Sequence, residues 1–270
     1  MNEYTIREYL PSDREGMLHI WHEVFGDSPE FIEGFLTRLP GFGTAAAALC
    51  GEEIVGAAYI LTGMTLAGEN ISEKKCGYIY AVAVMPEHRK AGLGAGLTRL
   101  AAELGRRDGA QMICTLPAED SLYAWYEGLI GTENVLHLEV KKCSAQGRIS
   151  PRRLGAQEYF RIREERLKNT PHLRLNPECA EFHQFFCEYL GGGLFEAEGA
   201  LLSCYCTEGL CIVTELINPD APRNESIAAA LAAHLGAAEV LYRVPAKTGR
   251  PYLAADTDLP EDCVWNISFD

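Results

Sequence analysis

Residues 77–97 read Gly77-Tyr-Ile-Tyr-Ala-Val-Ala-Val-Met-Pro-Glu-His-Arg-Lys-Ala-Gly-Leu-Gly-Ala-Gly-Leu97, and the fold follows from how they are parsed. Tyr78, Tyr80, Val82 and Val84 alternate with Ile79, Ala81 and Ala83, so both faces are apolar, as in a strand buried on both sides. Pro86 ends the strand because it has no amide to give a ladder. From Leu93 onward, Leu97, Leu100, Ala101 and Leu104 fall on one helix face, and Asp108-Gly109 closes that helix.

Between strand and helix lies Arg89-Lys-Ala-Gly-Leu-Gly94. Gly92 and Gly94 let a ligand approach the backbone and adopt positive φ at little cost. The first amides of a helix lack intrahelical acceptors, and the helix dipole favours an anion beside them. Arg89 and Lys90 add positive charge at the same place, so a diphosphate is the expected guest. Its expected contacts are Arg89, Lys90, Ala91, Gly92, Leu93, Gly94 and Ala95. The spacing is neither the dinucleotide fingerprint Gly-x-Gly-x-x-Gly nor a Walker loop, which needs Gly-Lys-Ser/Thr.

Arg-x-x-Gly-x-Gly after a strand and before a helix, preceded by Val82-Ala-Val84-x-Pro86-Glu-His-Arg89, resembles the acyl-CoA loop of the GNAT superfamily of N-acetyltransferases. The surrounding elements agree. A strand over 4–10 precedes a helix opened by Pro11, with Ser12 as N-cap and Glu15 completing a capping box. Ser28-Pro29 opens a second helix. A hairpin over 45–50 and 54–61 turns at Gly51, and a further turn falls at Gly68-Glu-Asn70. A helix over 93–107, a strand over 111–116, a short helix over 118–129 and a strand over 135–141 complete the series. This is the order in which the GNAT fold is built. The resemblance covers residues 3–143 and implies an α/β (α+β) fold on a mixed central sheet, with domain one at 1–143.

Residues 144–151 are polar and contain Gly147, and read as a linker. The element order then restarts over 152–270: helices at 152–168 and 177–190, a hairpin over 195–206, a strand over 210–217, a helix over 226–235, and strands at 239–244 and 263–269. Where a glycine loop should stand, the chain has Asn218-Pro-Asp-Ala-Pro-Arg-Asn-Glu225, with no glycine and net negative charge. The second half therefore resembles a degenerate GNAT-like domain without the CoA loop; an unrelated α/β domain is the alternative.

The resemblance implies acetyl-CoA as co-substrate. It implies that the main chain at Val82 and Val84 holds the pantetheine arm like an added strand, and that Tyr126 protonates the departing thiolate. The family pattern Tyr-x-x-x-Gly-Phe is here Tyr126-Glu-Gly-Leu-Ile-Gly131, with the second glycine one place late and no phenylalanine, so Tyr123 competes. Glu33, Tyr80, His88 and Glu119 are candidate bases, and none is preferred.

Composition narrows the partners. The chain has 270 residues, 38 acidic against 24 basic, and a net charge of −14, which argues against nucleic acid and anionic membrane. An acidic stretch (Asp256, Asp258, Glu261, Asp262, Asp270) suits a cationic acceptor or a solvated surface. The opening residues lack a basic segment followed by an apolar run, so no secretory signal is expected and cytoplasmic residence is the default. Ten cysteines without a Cys-x-x-Cys pair, and no histidine at ligand spacing beside Cys204, Cys206 and Cys211, read as free thiols with no metal. No cysteine stands in a Cys-His nucleophile setting. The expected activity is acetyl transfer from acetyl-CoA to a primary amine, small-molecule or peptide, by direct attack in a ternary complex. A non-catalytic acyl-CoA sensor is the alternative, and a homodimer stays open.

Overall fold

The computed structural model describes residues 3–69, 71–260, 262–265, 267 and 269. In chain order the elements are β1 (Tyr4–Glu8), α1 (Arg14–Phe25), α2 (Pro29–Arg38), β2 (Gly43–Cys50), β3 (Glu53–Ala67), β4 (Lys74–Val84), α3 (Leu93–Arg107), β5 (Met112–Thr115), α4 (Ser121–Ile130) and β6 (Asn134–Ser144). There follow β7 (Arg152–Leu154), α5 (Ala156–Leu167), β8 (His172–Leu175), α6 (Pro177–Tyr189), β9 (Gly193–Ala197), β10 (Ala200–Thr207), β11 (Leu210–Ile217), α7 (Asn224–His234), β12 (Glu239–Ala246) and β13 (Arg250–Ala255). The fold is mixed α/β, and it divides into two compact units. One takes the chain up to Leu66, Lys74–Val135 and Leu253–Leu259; the other takes Ala67–Glu73, Leu136–Tyr252 and the chain from Pro260 on.

In the first unit β1, β2, β3 and β4 pair antiparallel in that order, and β4 pairs parallel with β5. The end of β13 closes the far edge of β5, with Ala254 opposite Thr115. One face of this sheet packs on α3. Leu93, Leu97, Ala101 and Leu104 bury against Ala46, Ala48, Val55, Ala58, Ile60 and Ile79, and each fully buried leucine is worth about 1.5–3 kcal/mol. Gly105 permits the approach, since a Cβ there would sit 2.9 Å from Ile60 Cγ1. The opposite face carries an aromatic cluster in which Trp21 and Phe35 pack on Tyr59 and Tyr80.

In the second unit β7, β9, β10 and β11 pair antiparallel, β11 pairs parallel with β12, and β6 pairs antiparallel with β12. Its core joins α7 (Ile227, Ala228, Leu231) to Leu202, Cys204, Val213 and Val240. A buried ion pair, Arg163 with Glu215, lies among polar side chains, with Tyr159 donating to Glu215 at 3.0 Å.

Several expectations need correction. Ser12 is not the first cap: a 3-10 turn over Pro11–Asp13 precedes α1, and the Asp13 carboxylate accepts from the Leu10 amide at 2.7 Å while pairing with Arg7. The stretch expected to be helical from 152 begins instead as strand β7, with α5 starting at Ala156. Strands β8 and β13 were not expected. In the segment expected as a strand over 263–269, Val264 forms an isolated bridge with His172, and Asn266 and Ser268 lie outside the described residues. Asn70, Glu261 and Asp270 also lie outside them. All ten cysteines are free. Among the described residues no helix is long and apolar enough to cross a membrane, and no group of three His, Cys, Asp or Glu is placed to hold a metal.

Candidate active site

The site begins with an irregularity in β4. Tyr80 lies opposite Tyr59 and Ala83 opposite Ala57, so Ala81 and Val82 together face the single residue Ala58, and Ala81 takes a positive φ of 48°. This is a β-bulge, which inserts one residue and re-phases every side chain after it. Ile79 faces α3, and beyond the bulge Val82 and Val84 pack on that same α3 side, whereas Tyr80 joins the aromatic cluster. The strict alternation read from 78 to 84 is therefore broken at its centre.

A second opening coincides with the first. β4 and β5 pair from Cys76–Met112 to Ile79–Thr115 and no further among the described residues, while β4 runs on to Val84. The β5-side edge of Tyr80–Val84 thus has no neighbouring strand from β5. The Val84 carbonyl is not free in this arrangement: Arg89 Nε donates to it at 3.1 Å.

Beyond Val84 a 3-10 turn over Pro86–His88 leads into the glycine loop. Lys90 and Gly92 both take positive φ, 68° and 79°. Gly94 lies inside α3 without positive φ, so it serves by lacking a side chain and not by conformation. A Cβ on either glycine would meet nothing within 4 Å. Among the described residues no acceptor is found for the amides of Lys90, Ala91, Gly92, Leu93, Gly94 and Ala95; the first engaged amide is that of Gly96, which donates to the Gly92 carbonyl at 3.0 Å. No side chain caps the helix either. The loop is held from behind by the Tyr4 hydroxyl, 3.1 Å from His88 Nδ1, so His88 is half-buried and not simply solvated.

Tyr126 is the one buried residue of α4 (7% exposed), while Trp125 beside it is 37% exposed and Leu122 and Leu129 are half-buried. Burial raises the Tyr126 pKa, and a hydrogen bond with the Thr115 side chain offsets part of the rise. The phenol is therefore protonated at neutral pH, a donor and not a base. Thr115, the last paired residue of β5, donates to the Ile79 carbonyl at 3.2 Å. Tyr123 is half-buried. Among the candidate bases, Glu33 is exposed and paired with Arg14, Glu119 is exposed and accepts from Ser121, and Tyr80 packs in the aromatic cluster. Asp256 is withdrawn from the acidic stretch: it accepts from the Ile113 amide at 2.9 Å and pairs with Arg106.

Sequence reasoning missed Ala81, since nothing in Tyr-Ala-Val-Ala-Val marks a bulge.

The element order and the glycine loop between β4 and α3 agree with the fold expected from the sequence. The family model described as "Acetyltransferase (GNAT) domain" matches residues 5–127, a span that includes the glycine loop and Tyr126. Among solved structures, a GCN5-related N-acetyltransferase from Kribbella flavida matches with a TM-score of 0.63 at 18% identity, over 94% of this chain and 71% of that one. One from Anabaena variabilis matches at 0.63 and 12%, over 94% and 72%. A third, from Sphaerobacter thermophilus, matches at 0.52 and 16%, over 93% and 95%. At these identities the likeness establishes the fold. No curated protein matches the sequence.

Proposed function

We propose that this protein is a cytoplasmic acetyl-CoA-dependent N-acetyltransferase, acting on a primary amine by direct attack. The observation that carries the reading is the run of six amides, Lys90 to Ala95, that have no acceptor within the described fold and face open space across Gly92 and Gly94. Six unpartnered donors at the positive end of a 15-residue helix suit the paired phosphates of a coenzyme. The stretch Ala81–Val84, which runs on beyond the last residue of β4 paired with β5, suits the pantetheine arm as an added strand. The Val82 main chain is the better candidate contact, because the Val84 carbonyl is engaged by Arg89. A neutral amine then attacks the thioester carbonyl, the carbon–sulfur bond breaks, and Tyr126 gives its proton to the departing thiolate. The attacking nitrogen gives up its own proton to water.

The second unit we read as a degenerate GNAT-like domain, with domains at 1–143 and 152–270 and the linker at 144–151. Support comes from the strand order. Each compact unit has four strands paired antiparallel, a fifth paired parallel, and an antiparallel closing strand; the closing strand of the first, β13, comes from the 152–270 half, and that of the second, β6, largely from the 1–143 half.

Acetyl-CoA should raise the melting temperature. Incubation of acetyl-CoA with spermidine, lysine methyl ester and tyramine, read by mass spectrometry, should show an amine that gains one acetyl group. A melting shift with no acetylated product from a wider amine screen would make the protein a coenzyme-binding sensor; no shift at millimolar acetyl-CoA would end the reading. Tyr126→Phe should slow turnover about 10²–10⁴-fold, the range for acid–base groups.

A further inference from the structure

We propose that strand β1 clamps the coenzyme loop, with Tyr4 and Ile6 as positioning residues: Tyr4 fixes the chain where it enters the loop, and Ile6 where it leaves. The proposal deepens the acetyl-CoA reading of this loop and rests on it.

The loop's own hydrogen bonds do not set its shape. The amides of His88 and Arg89 close the preceding turn on the carbonyls of Met85 and Pro86, at 2.9 and 3.3 Å. The next bonded amide is that of Gly96, and the six between have no acceptor among the described residues. Two of those six residues, Lys90 and Gly92, are left-handed. Lys90 carries a side chain, so its conformation costs energy and persists only where the surroundings hold it.

β1 supplies a hold at both ends. Tyr4 and Ile6 are alternate residues and share one face of the strand, opposite Cys50 and Ala48 of β2. Both pack on the cluster that contains Leu93 and Leu97 of α3. At the entry, the Tyr4 hydroxyl is 3.1 Å from His88 Nδ1, and the two rings meet edge to face, with centroids 5.8 Å apart and planes at 89°. At the exit, a Cβ on Gly96 would overlap Ile6 Cδ1, whereas Ile6 Cγ1 would stand 3.8 Å away. Glycine at 96 therefore leaves room for Ile6 against the first turn of α3. A loop that holds its binding shape only part of the time binds its ligand more weakly by that fraction. Removing one hydrogen bond that maintains the shape should weaken binding about 2- to 10-fold.

Titration calorimetry of the full chain with acetyl-CoA reads the effect. Tyr4→Phe keeps the ring contact and removes only the hydroxyl. Its Kd should rise about 2- to 10-fold, and with the amine panel above the KM for acetyl-CoA should rise while kcat stays within about twofold. The amide NMR resonance of Gly92 should move in the ligand-free variant. His88→Leu breaks the same bond from the other side and takes the same tests if Tyr4→Phe does not fold; the two changes together should weaken binding no more than His88→Leu alone. At the exit, Gly96→Ala should also raise the Kd, and adding Ile6→Val, which removes only Cδ1, should restore it. An unchanged Kd in Tyr4→Phe, or a fall in kcat at constant KM, overturns the role of Tyr4. No loss in Gly96→Ala, or a loss that Ile6→Val leaves uncorrected, overturns that of Ile6. Both results leave acetyl-CoA binding by the unaltered protein in place, whereas no binding by the unaltered protein ends the coenzyme reading, and this proposal with it.

Discussion

Gly94→Ala separates the fold of the glycine loop from its use. Gly94 is the second residue of α3 and has no positive φ, and a Cβ built there meets nothing within 4 Å. Alanine is favoured over glycine in a helix by about 0.5–1 kcal/mol, so the ligand-free protein should be unchanged or slightly more stable. The added methyl, however, stands in the open space beside the amides of Leu93, Gly94 and Ala95. A phosphate kept from one of those donors loses a charge-assisted hydrogen bond of about 1.5–3 kcal/mol, which weakens binding by about 10- to 150-fold. Differential scanning fluorimetry measures both effects: the baseline melting temperature should hold or rise, while the rise produced by acetyl-CoA should shrink strongly. Gly92→Ala is the control. Its φ of 79° makes any side chain strained, so it should lose about 1–2 kcal/mol before any ligand is added. If Gly94→Ala folds normally and keeps the full ligand-induced shift, these amides are not where the diphosphate binds.

Two further predictions concern stability. The Arg7 guanidinium, with help from the Leu10 amide, holds the Asp13 carboxyl below its ordinary range despite burial. A carboxyl whose folded pKa lies below its unfolded one contributes stability at neutral pH and loses it as pH falls through the folded value. Asp13→Asn should therefore flatten the melting-temperature profile below about pH 4, and an unchanged acid limb would show that the pair contributes nothing. In the second unit, Arg163→Met leaves Glu215 buried without its cation, which should cost about 3–5 kcal/mol. Urea unfolding should show most of that loss recovered by adding Glu215→Leu; a double variant as unstable as the single one would count against ion-pair desolvation as the cause.

What the sequence made legible was local. The span of α3 agrees with its expected bounds, because the glycines before it, the leucine spacing within it and Asp108-Gly109 after it are all contiguous signals. The Ser28 cap likewise follows from Ser-Pro, and its hydroxyl accepts from the Phe31 amide at 3.2 Å. The misses depend on partners distant in the chain. Pro251-Tyr-Leu-Ala-Ala255 is short and opens with a proline, and it becomes a strand only by pairing with strands distant in the chain, β5 among them. Asp256 reads as one charge in an acidic run, yet its carboxylate serves the Ile113 amide. Ala81 adopts a left-handed conformation that alanine does not favour, so the bulge is imposed by the pairing of β4 with β3 and leaves no trace in composition.

Within one strand order the two units differ in where the turn's amides are spent. In the first, residues 85–92 join β4 to α3 through Lys90 and Gly92, both left-handed, and no side chain reaches the amides that follow. In the second, residues 218–223 join β11 to α7, and the Asn218 side chain occupies the turn. Its Oδ1 accepts from the Asp220 amide at 3.0 Å, while its Nδ2 donates to the Asp220 carbonyl at 2.7 Å and to Asn224 Oδ1 at 3.0 Å. Glu225 then places a negative charge in the first turn of α7. A carboxylate there already answers the helix dipole, and a phosphate would have to displace it as well as break the Asn218 contacts. The second turn thus spends its Asp220 amide on Asn218, whereas the amides of Lys90 to Ala95 have no acceptor among the described residues, which is what the proposed anion site requires.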